Sequence, residues 1–132
     1  MTYFLDSNIC VNCLRDSSSR SSTTLVSHLP SEIQIPAIVA AELLFGARKS
    51  NRSEENLVST RTFLRHFTIT PFDSSAAETY SQLRLDLEQR GQVIGPHDLL
   101  IAAIVHSRTG VLVTHNISEF SRIGPLRIED WQ

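Results

Sequence analysis

The chain has 132 residues and a formal net charge of −2, with 41% hydrophobic and 20% charged residues. This length and composition fit a single globular domain, residues 1–132, and the acidic balance excludes a globally basic nucleic-acid-binding surface. No apolar run reaches the roughly 20 residues that cross a bilayer, and the first residues lack a secretory signal, so we expect a cytoplasmic protein without a membrane partner.

Hydrophobic periodicity and turn residues predict an alternation of strands and helices along the chain. In order, they predict a strand over 3–5, a helix ending near residue 14, a helix over 23–29, a strand over 33–37, a helix over 38–49, a helix over 57–67, a strand over 67–70, a helix over 76–87, a helix over 99–105, a strand over 111–114 and a strand over 126–128. This alternation is typical of an α/β sandwich with a mainly parallel sheet.

Three positions refine these elements. Pro36 indicates a sheet edge or a strand end, because proline cannot donate to a neighbouring strand. Gly91 is well placed to end the helix before it, since glycine adopts the left-handed conformation that closes helices. The segment 99–105 is almost entirely apolar, so we expect its helix to be buried on most sides.

Three carboxylates stand in apolar surroundings. Asp6 follows the first strand, Glu42 lies inside an apolar helix, and Asp98 opens the buried helix. In an open α/β sheet, the carboxyl ends of the strands and the adjacent helix starts form the usual ligand crevice. If the three converge there, their charges raise one another's pKa, and a divalent cation removes that penalty. The sequence therefore predicts an acidic metal site.

Helix capping explains each of these acids separately. Asp6 and Asp98 are suitable N-cap residues, and Glu42 in a first turn complements the helix dipole. For any one residue the two explanations are equally good, but all three together favour a site. Ser7 is expected either to support the carboxylate of Asp6 by a hydrogen bond or simply to cap its helix.

The two cysteines, Cys10 and Cys13, have the spacing of a redox pair or of half a zinc site. No second cysteine pair and no suitably spaced histidine pair completes such a site. On a helix the two thiols share a face beside Ile9 and Leu14, and we interpret them as small buried side chains.

Five segments together resemble a known family. They are FLDSNI at 4–9, PAIVAAELLFGARKS at 36–50, GQVIGPHDLLIAA at 91–103, LVTHNISEF at 112–120 and IGPLRIEDW at 123–131. In this order the segments resemble the PIN-domain proteins, and more narrowly the VapC-type toxins of bacterial toxin–antitoxin pairs. The resemblance extends from Met1 to about Trp131.

The resemblance implies a fold, an activity and partners. The fold would be a PIN-like three-layer α/β sandwich, with a mainly parallel central sheet flanked by helices. The activity would be that of an endoribonuclease toxin, dependent on Mg²⁺ or Mn²⁺, that cleaves RNA such as tRNA or rRNA and so inhibits translation. A VapB-type antitoxin would block the site, and the chain would form a homodimer within a toxin–antitoxin hetero-oligomer.

The family's acidic positions correspond to Asp6, Glu42 and Asp98, with Asp6 and Asp98 as the implied metal ligands. The fourth position, often Asp, is Asn116 here, and Glu119 is an acid close to it in sequence. Asn116 removes one negative charge relative to that pattern, so we expect one firmly held ion, and a second ion, if one is used, would arrive with the substrate phosphate.

Two histidines and three basic residues each allow a functional and a simpler interpretation. His97 and His115 flank the implied site, where each would contact RNA or metal or, more simply, support a neighbour. Arg48, Lys49 and Arg84 are candidates for steering phosphate, against the simpler interpretation that they are solvated surface charges.

Two other classes of function remain. The first is a non-catalytic module that binds RNA or an antitoxin, which Asn116 alone supports. The second is a metal-dependent phosphatase or another hydrolase. That class lacks its Asp-x-Asp motif here because position 8 is Asn8, and the chain has no phosphate-binding loop, serine nucleophile elbow or dinucleotide fingerprint.

Overall fold

A computed structural model describes all of residues 1–132 as five strands and seven α-helices. The strands are β1 (Tyr3–Leu5), β2 (Ile33–Pro36), β3 (Thr68–Thr70), β4 (Val111–Val113) and β5 (Arg127–Glu129). The helices are α1 (Ser7–Arg15), α2 (Arg20–Val26), α3 (Ala37–Lys49), α4 (Ser53–Leu64), α5 (Ser74–Gln89), α6 (Pro96–Ser107) and α7 (Ile117–Phe120).

The five strands form one sheet in the order β3-β2-β1-β4-β5, and every neighbouring pair is parallel. Right-handed crossovers place α1 to α4 on one face and α5 to α7 on the other. The predicted PIN-like α/β sandwich with a parallel central sheet is confirmed. The strand order reverses between β1 and β4, so their carboxyl ends border the crevice in which such sheets bind ligands.

The centre of the core lies where β1 and β4 meet α6. Phe4 and Leu5 of β1, all of β4 and the run Ile101–Val105 of α6 are buried. This confirms the prediction that the apolar helix is covered on most sides. Gly110 connects α6 to β4, and a side chain there would overlap the ring of Phe4. Only glycine lets the chain pass this close to β1.

The predicted start of the buried helix is wrong, and one of the two alternatives for Pro36 is confirmed. The buried helix α6 begins at Pro96 rather than near residue 99, because proline is well suited to a first helical position. Asp98 therefore lies in the first turn, and Gly95 is the N-cap residue. Pro36 ends β2 as predicted, but β2 is an interior strand and not a sheet edge.

Four further elements differ from the sequence prediction in their bounds or their presence. The second helix begins at Arg20, three residues before its predicted start, because the Ser19 hydroxyl caps it by accepting from the Ser22 N–H. The fourth helix begins at residue 53 rather than 57, and the short helix α7 was not predicted. The last strand starts one residue later than predicted, at Arg127.

Both cysteine thiols are free, and Cys10 lies in the core while Cys13 is half-buried. Burial raises the pKa of both thiols, as expected for inert structural side chains. Ile9 is buried as predicted, but Leu14 is exposed at the end of its helix. No helix has both the length and the apolar character that crossing a bilayer requires.

The carboxyl end of the chain returns to the start of the fold. The indole of Trp131 stacks on His28, with ring centroids 4.9 Å apart, and lies 5.5 Å from the ring of Tyr3. The Ser21 hydroxyl donates to the Trp131 carbonyl oxygen over 3.2 Å. These contacts fasten the residues after β5 to β1 and to the region of α2.

Candidate active site

Asp6 follows β1 directly and is the N-cap residue of α1. Its Oδ1 accepts from the Ser7 N–H at 2.8 Å, and its Oδ2 accepts from the Thr114 hydroxyl at 2.7 Å. Only 6% of Asp6 is exposed. Burial raises the pKa of Asp6, and the hydrogen bonds from Thr114 and Ser7 partly oppose that rise. Capping therefore explains how α1 starts, while the burial leaves a carboxylate in need of a positive partner.

Thr114 is a site residue that the sequence analysis missed. It is fully buried, and its Oγ1 donates to Asp6 while accepting from the Asn116 N–H at 3.0 Å. The register of the sheet pairs Leu5 with Val113, so the next residues along, Asp6 and Thr114, are neighbours. A threonine at a strand end also fits the strand's own β-branched composition, and this concealed its role.

Glu42 lies in the second turn of α3 and not in the first, so the helix dipole does not explain its position. Its Oε1 accepts from the Ser7 hydroxyl at 2.9 Å. The expectation that the Ser7 hydroxyl would hold Asp6 is wrong, because its backbone N–H performs that task. Ser7 thus links the carboxylates of Asp6 and Glu42 through two different groups.

Asp98 and Glu119 meet beside Gly95. A side-chain carbon built on Gly95 would lie 3.6 Å from Oδ2 of Asp98 and 3.4 Å from Oε1 of Glu119. Glu119 Oε1 accepts from the Gly95 N–H at 2.5 Å, and its Oε2 accepts from the Asn116 side-chain amide at 3.0 Å. The residue at the fourth family position therefore holds a neighbouring acid in place.

The surroundings of Asp98 and Glu119 shift the pKa values of these two carboxyl groups in opposite directions. Burial, followed by the charges of Glu119 and Asp6, raises the pKa of Asp98 to about 7. The hydrogen bonds from Gly95 and Asn116 lower the pKa of Glu119. Asp98 is thus the carboxyl group of the cluster that most readily keeps a proton near neutral pH.

The structure brings together the predicted residues Asp6, Glu42 and Asp98. Ser7 connects Asp6 to Glu42, and Thr114 and Asn116 connect Asp6 to Glu119. Glu119 in turn lies beside Asp98 at Gly95 and joins the cluster. No three acidic, histidine or cysteine side chains form a ready-made metal coordination shell. The donor chemistry nevertheless fits Mg²⁺, which binds one or two protein carboxylates and keeps several of its waters. The burial of like charges in Asp6 and Asp98 fits a divalent cation for the same reason.

The two histidines near the cluster have different partners. His97 is exposed, and its Nδ1 lies 3.8 Å from Glu42 Oε2. His115 lies 3.0 Å from the carboxylate of Asp130, beyond the end of β5. Thus His97 borders the acidic cluster directly, whereas His115 belongs to a separate pair.

The cluster borders a groove between α1, α3 and α4, which we call the carboxylate groove. Its volume is about 380 Å³, and Ser7 and Glu42 contribute polar atoms to it beside apolar Val11 and Leu43. The Glu42 side chain, 36% exposed, thus connects the groove to the acidic cluster.

Of the three cations predicted to steer phosphate, Arg84 is engaged within the protein. Its guanidinium donates to Glu88 at 2.8 Å and to the Tyr80 hydroxyl at 3.0 Å. Arg48 and Lys49 are exposed and form no ion pair. The structure thus leaves only Arg48 and Lys49 of this set free to meet an anion.

Residues 3–125 of the chain match the PIN domain family. The chain is 40% identical to ribonuclease VapC2 of Rickettsia felis and 34% identical to the tRNA(fMet)-specific endonuclease VapC of Shigella flexneri, covering 99% of this chain and 98% of each relative. Its fold matches the solved structure of VapBC2 from Rickettsia felis bound to a promoter DNA fragment, with a TM-score of 0.92, 38% identity and full coverage of both chains.

Proposed function

Because this chain belongs to the PIN-domain family and matches VapC ribonucleases over almost its whole length, we propose that it is an endoribonuclease toxin that hydrolyses phosphodiester bonds in RNA. The observation that carries the proposal is the acidic cluster at the carboxyl edge of the sheet, in which Asp6 is buried and Glu42, Asp98 and Glu119 are half-buried. Four separate segments supply it, and it lies where α/β sheets bind their ligands.

We further propose that the reaction depends on Mg²⁺ or Mn²⁺, held by Asp6 and Asp98. Both carboxyl groups have a raised pKa because they are buried together, and a divalent cation would favour their charged forms. When bound, the ion would supply positive charge at the scissile phosphate and make a water molecule more acidic.

The chain's own residues would position the reacting groups. Thr114 and the Ser7 N–H fix the orientation of Asp6, and the Ser7 hydroxyl fixes Glu42. Glu42 would accept a hydrogen bond from the attacking water and direct it in line with the leaving 3′ oxygen. Attack of water on phosphorus with departure of that oxygen leaves a 5′-phosphate and a 3′-hydroxyl.

The relatives also suggest the substrate and the partners. The Shigella flexneri relative is named for cleavage of tRNA(fMet), so we propose tRNA as the first substrate to test and rRNA as the second. The fold is shared with toxin–antitoxin complexes of Rickettsia felis and Salmonella typhimurium. We therefore propose a VapB-type antitoxin that blocks the acidic cluster, and a homodimer within that complex.

The central experiment compares the protein with its Asp6→Asn variant on purified tRNA and rRNA, in Mg²⁺, in Mn²⁺ and in EDTA. Cleavage is expected only with a metal ion. Asp6→Asn should lose more activity than the roughly 10–100-fold typical of a residue that only supports a ligand. Circular dichroism provides the control, because Asn has the shape of Asp and should leave the fold unchanged.

End-mapping of cellular RNA after brief expression identifies the cut site and the chemistry of its ends. Undiminished cleavage in EDTA, or 2′,3′-cyclic phosphate ends, contradicts the proposed metal-dependent hydrolysis. Binding of RNA without cleavage in any metal ion would favour the non-catalytic module that Asn116 suggested. The amide of Asn116 holds Glu119 beside Asp98, so the acidic cluster keeps a fourth carboxylate.

A further inference from the structure

A second groove lies on the outer side of α3, and we call it the arginine groove. It is enclosed by α3, the end of α4 and β3, and has a volume of about 440 Å³. Three arginines line it, namely Arg48, Arg61 and Arg65, above a partly apolar floor that includes Leu64 and Phe67. The groove contains no acidic side chain.

The three guanidinium groups of the arginine groove form no ion pair and no hydrogen bond, and all three arginines are exposed. The arginines in and directly after α5 behave differently: Arg84 and Arg90 each bind an acid one helical turn away. On a chain with a net charge of −2, the arginine groove is therefore a local concentration of unpaired positive charge. Such a concentration favours an anionic ligand.

Helix dipoles explain part of this arrangement. Arg48 and Arg61 lie in the last turns of their helices, where cations are stabilising. That effect favours a cation at each helix end but does not direct three of them into one groove. It also does not explain Phe45, whose ring is 65% exposed on the same helix as Arg48.

The geometry of α3 connects the two grooves. Successive helical residues are about 100° apart, so Glu42 and Arg48 face different sides of α3. Phe45 and Lys49 lie on the exposed side between them, with the Lys49 ammonium 5.9 Å from the centre of the Phe45 ring. Along the axis, Glu42 and Arg48 are about 9 Å apart at 1.5 Å per residue.

We propose that the arginine groove binds the phosphate backbone of single-stranded RNA that flanks the cleavage site. Guanidinium groups bind phosphate oxygens bidentately, and bases stack on aromatic rings and guanidinium planes. A strand leaving Glu42 would cross Phe45 and Lys49 and place its phosphates among the three arginines. The proposal rests on the ribonuclease function proposed above and adds a binding site for the substrate.

Charge favours RNA over the other occupants of such a groove. A second copy of this chain would bring three further arginines toward the first three and cost repulsion. An acidic peptide would satisfy the arginines, but the exposed ring of Phe45 on the path to Glu42 fits a chain of stacking bases.

The test measures RNA binding by a variant that is expected not to cleave RNA, so that loss of substrate does not affect the titration. The full chain carrying Asp6→Asn is titrated against a fluorescent single-stranded RNA of 20 nucleotides in EDTA at several salt concentrations. The triple change Arg48→Gln, Arg61→Gln and Arg65→Gln should weaken binding roughly tenfold or more. It should also reduce the salt slope by about 2, since each single-strand phosphate contact contributes about 0.7.

Two matched variants separate the groove from net charge. Arg52→Gln, Arg90→Gln and Arg127→Gln remove the same charge elsewhere and should leave the RNA affinity within twofold. Changing the three groove arginines to Lys keeps the charge and should restore the salt slope, which shows that positive charge at these positions is what the glutamine variant lacks. Thermal unfolding of every variant accompanies the titrations.

An unchanged RNA affinity in the glutamine variant overturns the proposal, and so does an equal loss in the control triple. The proposal is also overturned if the change abolishes only self-association in sedimentation, or only binding of an acidic peptide. Failure of the ribonuclease proposal is distinguishable, because the chain would then bind RNA through the three arginines without cleaving it in any metal ion.

Discussion

Asp6 performs two tasks with one carboxylate. Its Oδ1 caps α1 through the Ser7 N–H, and its Oδ2 accepts from Thr114. Each carboxylate oxygen has two lone pairs, so these hydrogen bonds fix the side chain and still leave acceptor sites for a cation. The residue that starts the first helix is thereby also pre-oriented for the acidic cluster.

Thr114→Val tests this pre-orientation. The change keeps the shape of the side chain and removes the hydrogen bond to Asp6, so metal affinity and cleavage should fall about 10–100-fold. Stability should fall by about 1–3 kcal/mol, because a buried acceptor loses its donor. Isothermal titration with Mn²⁺ and urea unfolding measure the two effects. Thr114→Ser retains the hydroxyl, and a loss of metal affinity equal to that of the valine variant would contradict the hydrogen-bond explanation.

The raised pKa of Asp98 lowers the free energy of unfolding as the pH rises. Its pKa is about 7 in the folded chain against an ordinary 3.8, so the folded state retains a proton that the unfolded chain releases. The contribution of Asp98 to the free energy of unfolding is most favourable below pH 3.8, where the group is protonated in both states. It is lost as the pH rises through about 7, where the folded chain must also release the proton. Asp98→Asn should therefore be more stable than the parent chain at pH 8 in EDTA, with a smaller difference at pH 4.

Thermal unfolding of both proteins across this pH range provides the measurement. The difference in melting temperature should grow up to about pH 7 and then level off. A difference that is independent of pH would mean that Asp98 has no raised pKa. Adding Mg²⁺ should reduce the advantage of Asp98→Asn at pH 8, because a bound cation favours the charged carboxylate.

At the scale of elements, two glycines on helices have opposite roles. Gly91 adopts a φ of +66° after α5, where its N–H and that of Gln92 bond back to the carbonyls of Glu88 and Leu87. This is the Schellman closure of a helix, and it requires a left-handed residue. Gly46 lies in the middle of α3 with open space where a side chain would stand.

The same substitution should therefore have opposite signs at these two positions. Gly91→Ala should destabilise the chain by about 1 kcal/mol, the cost of the left-handed conformation. Gly46→Ala should stabilise it by about 0.5–1 kcal/mol, because alanine restricts the unfolded chain and favours helix. Urea unfolding of the two single variants and of the double variant checks both values, which should add because the sites are far apart.

The elements that the sequence predicted best are those with the clearest periodicity. The strands β1 and β4, the helix α3 and the closure at Gly91 follow from apolar spacing and turn chemistry. The start of α2 was misplaced because a run of serines contains many equivalent caps. The helix α7 has only four residues, too few for a periodic pattern.

The acidic cluster, too, could be predicted from the sequence only in part. Apolar surroundings, together with the resemblance to a known family, predicted Asp6, Glu42 and Asp98 from the sequence. The role of Thr114 depends on strand register, which brings it into hydrogen-bonding distance of Asp6 from more than a hundred positions away. The hydrogen bond from Ser7 to Glu42 depends on the packing of α1 against α3. A linear pattern contains no record of such a pairing, and the arginine groove is hidden from the sequence for the same reason.

At the scale of the whole molecule, the two ends of the chain are packed together. Trp131 is 4% exposed and contacts His28 and Tyr3. Trp131→Ala should cost about 3–5 kcal/mol, typical of removing a large buried aromatic side chain. Unfolding followed by circular dichroism measures it, with Val26→Ala as the control because Val26 is 80% exposed. A cost below about 1 kcal/mol would show that the end of the chain is dispensable.

The distribution of the acidic cluster along the chain has a consequence for synthesis. Its first member, Asp6, is made more than a hundred residues before Glu119 and the Asn116 that holds it. The strand β4, which carries the Asp6 partner Thr114, must also insert beside β1 before the cluster closes. The acidic cluster therefore cannot assemble during synthesis until both β4 and Glu119 have been made.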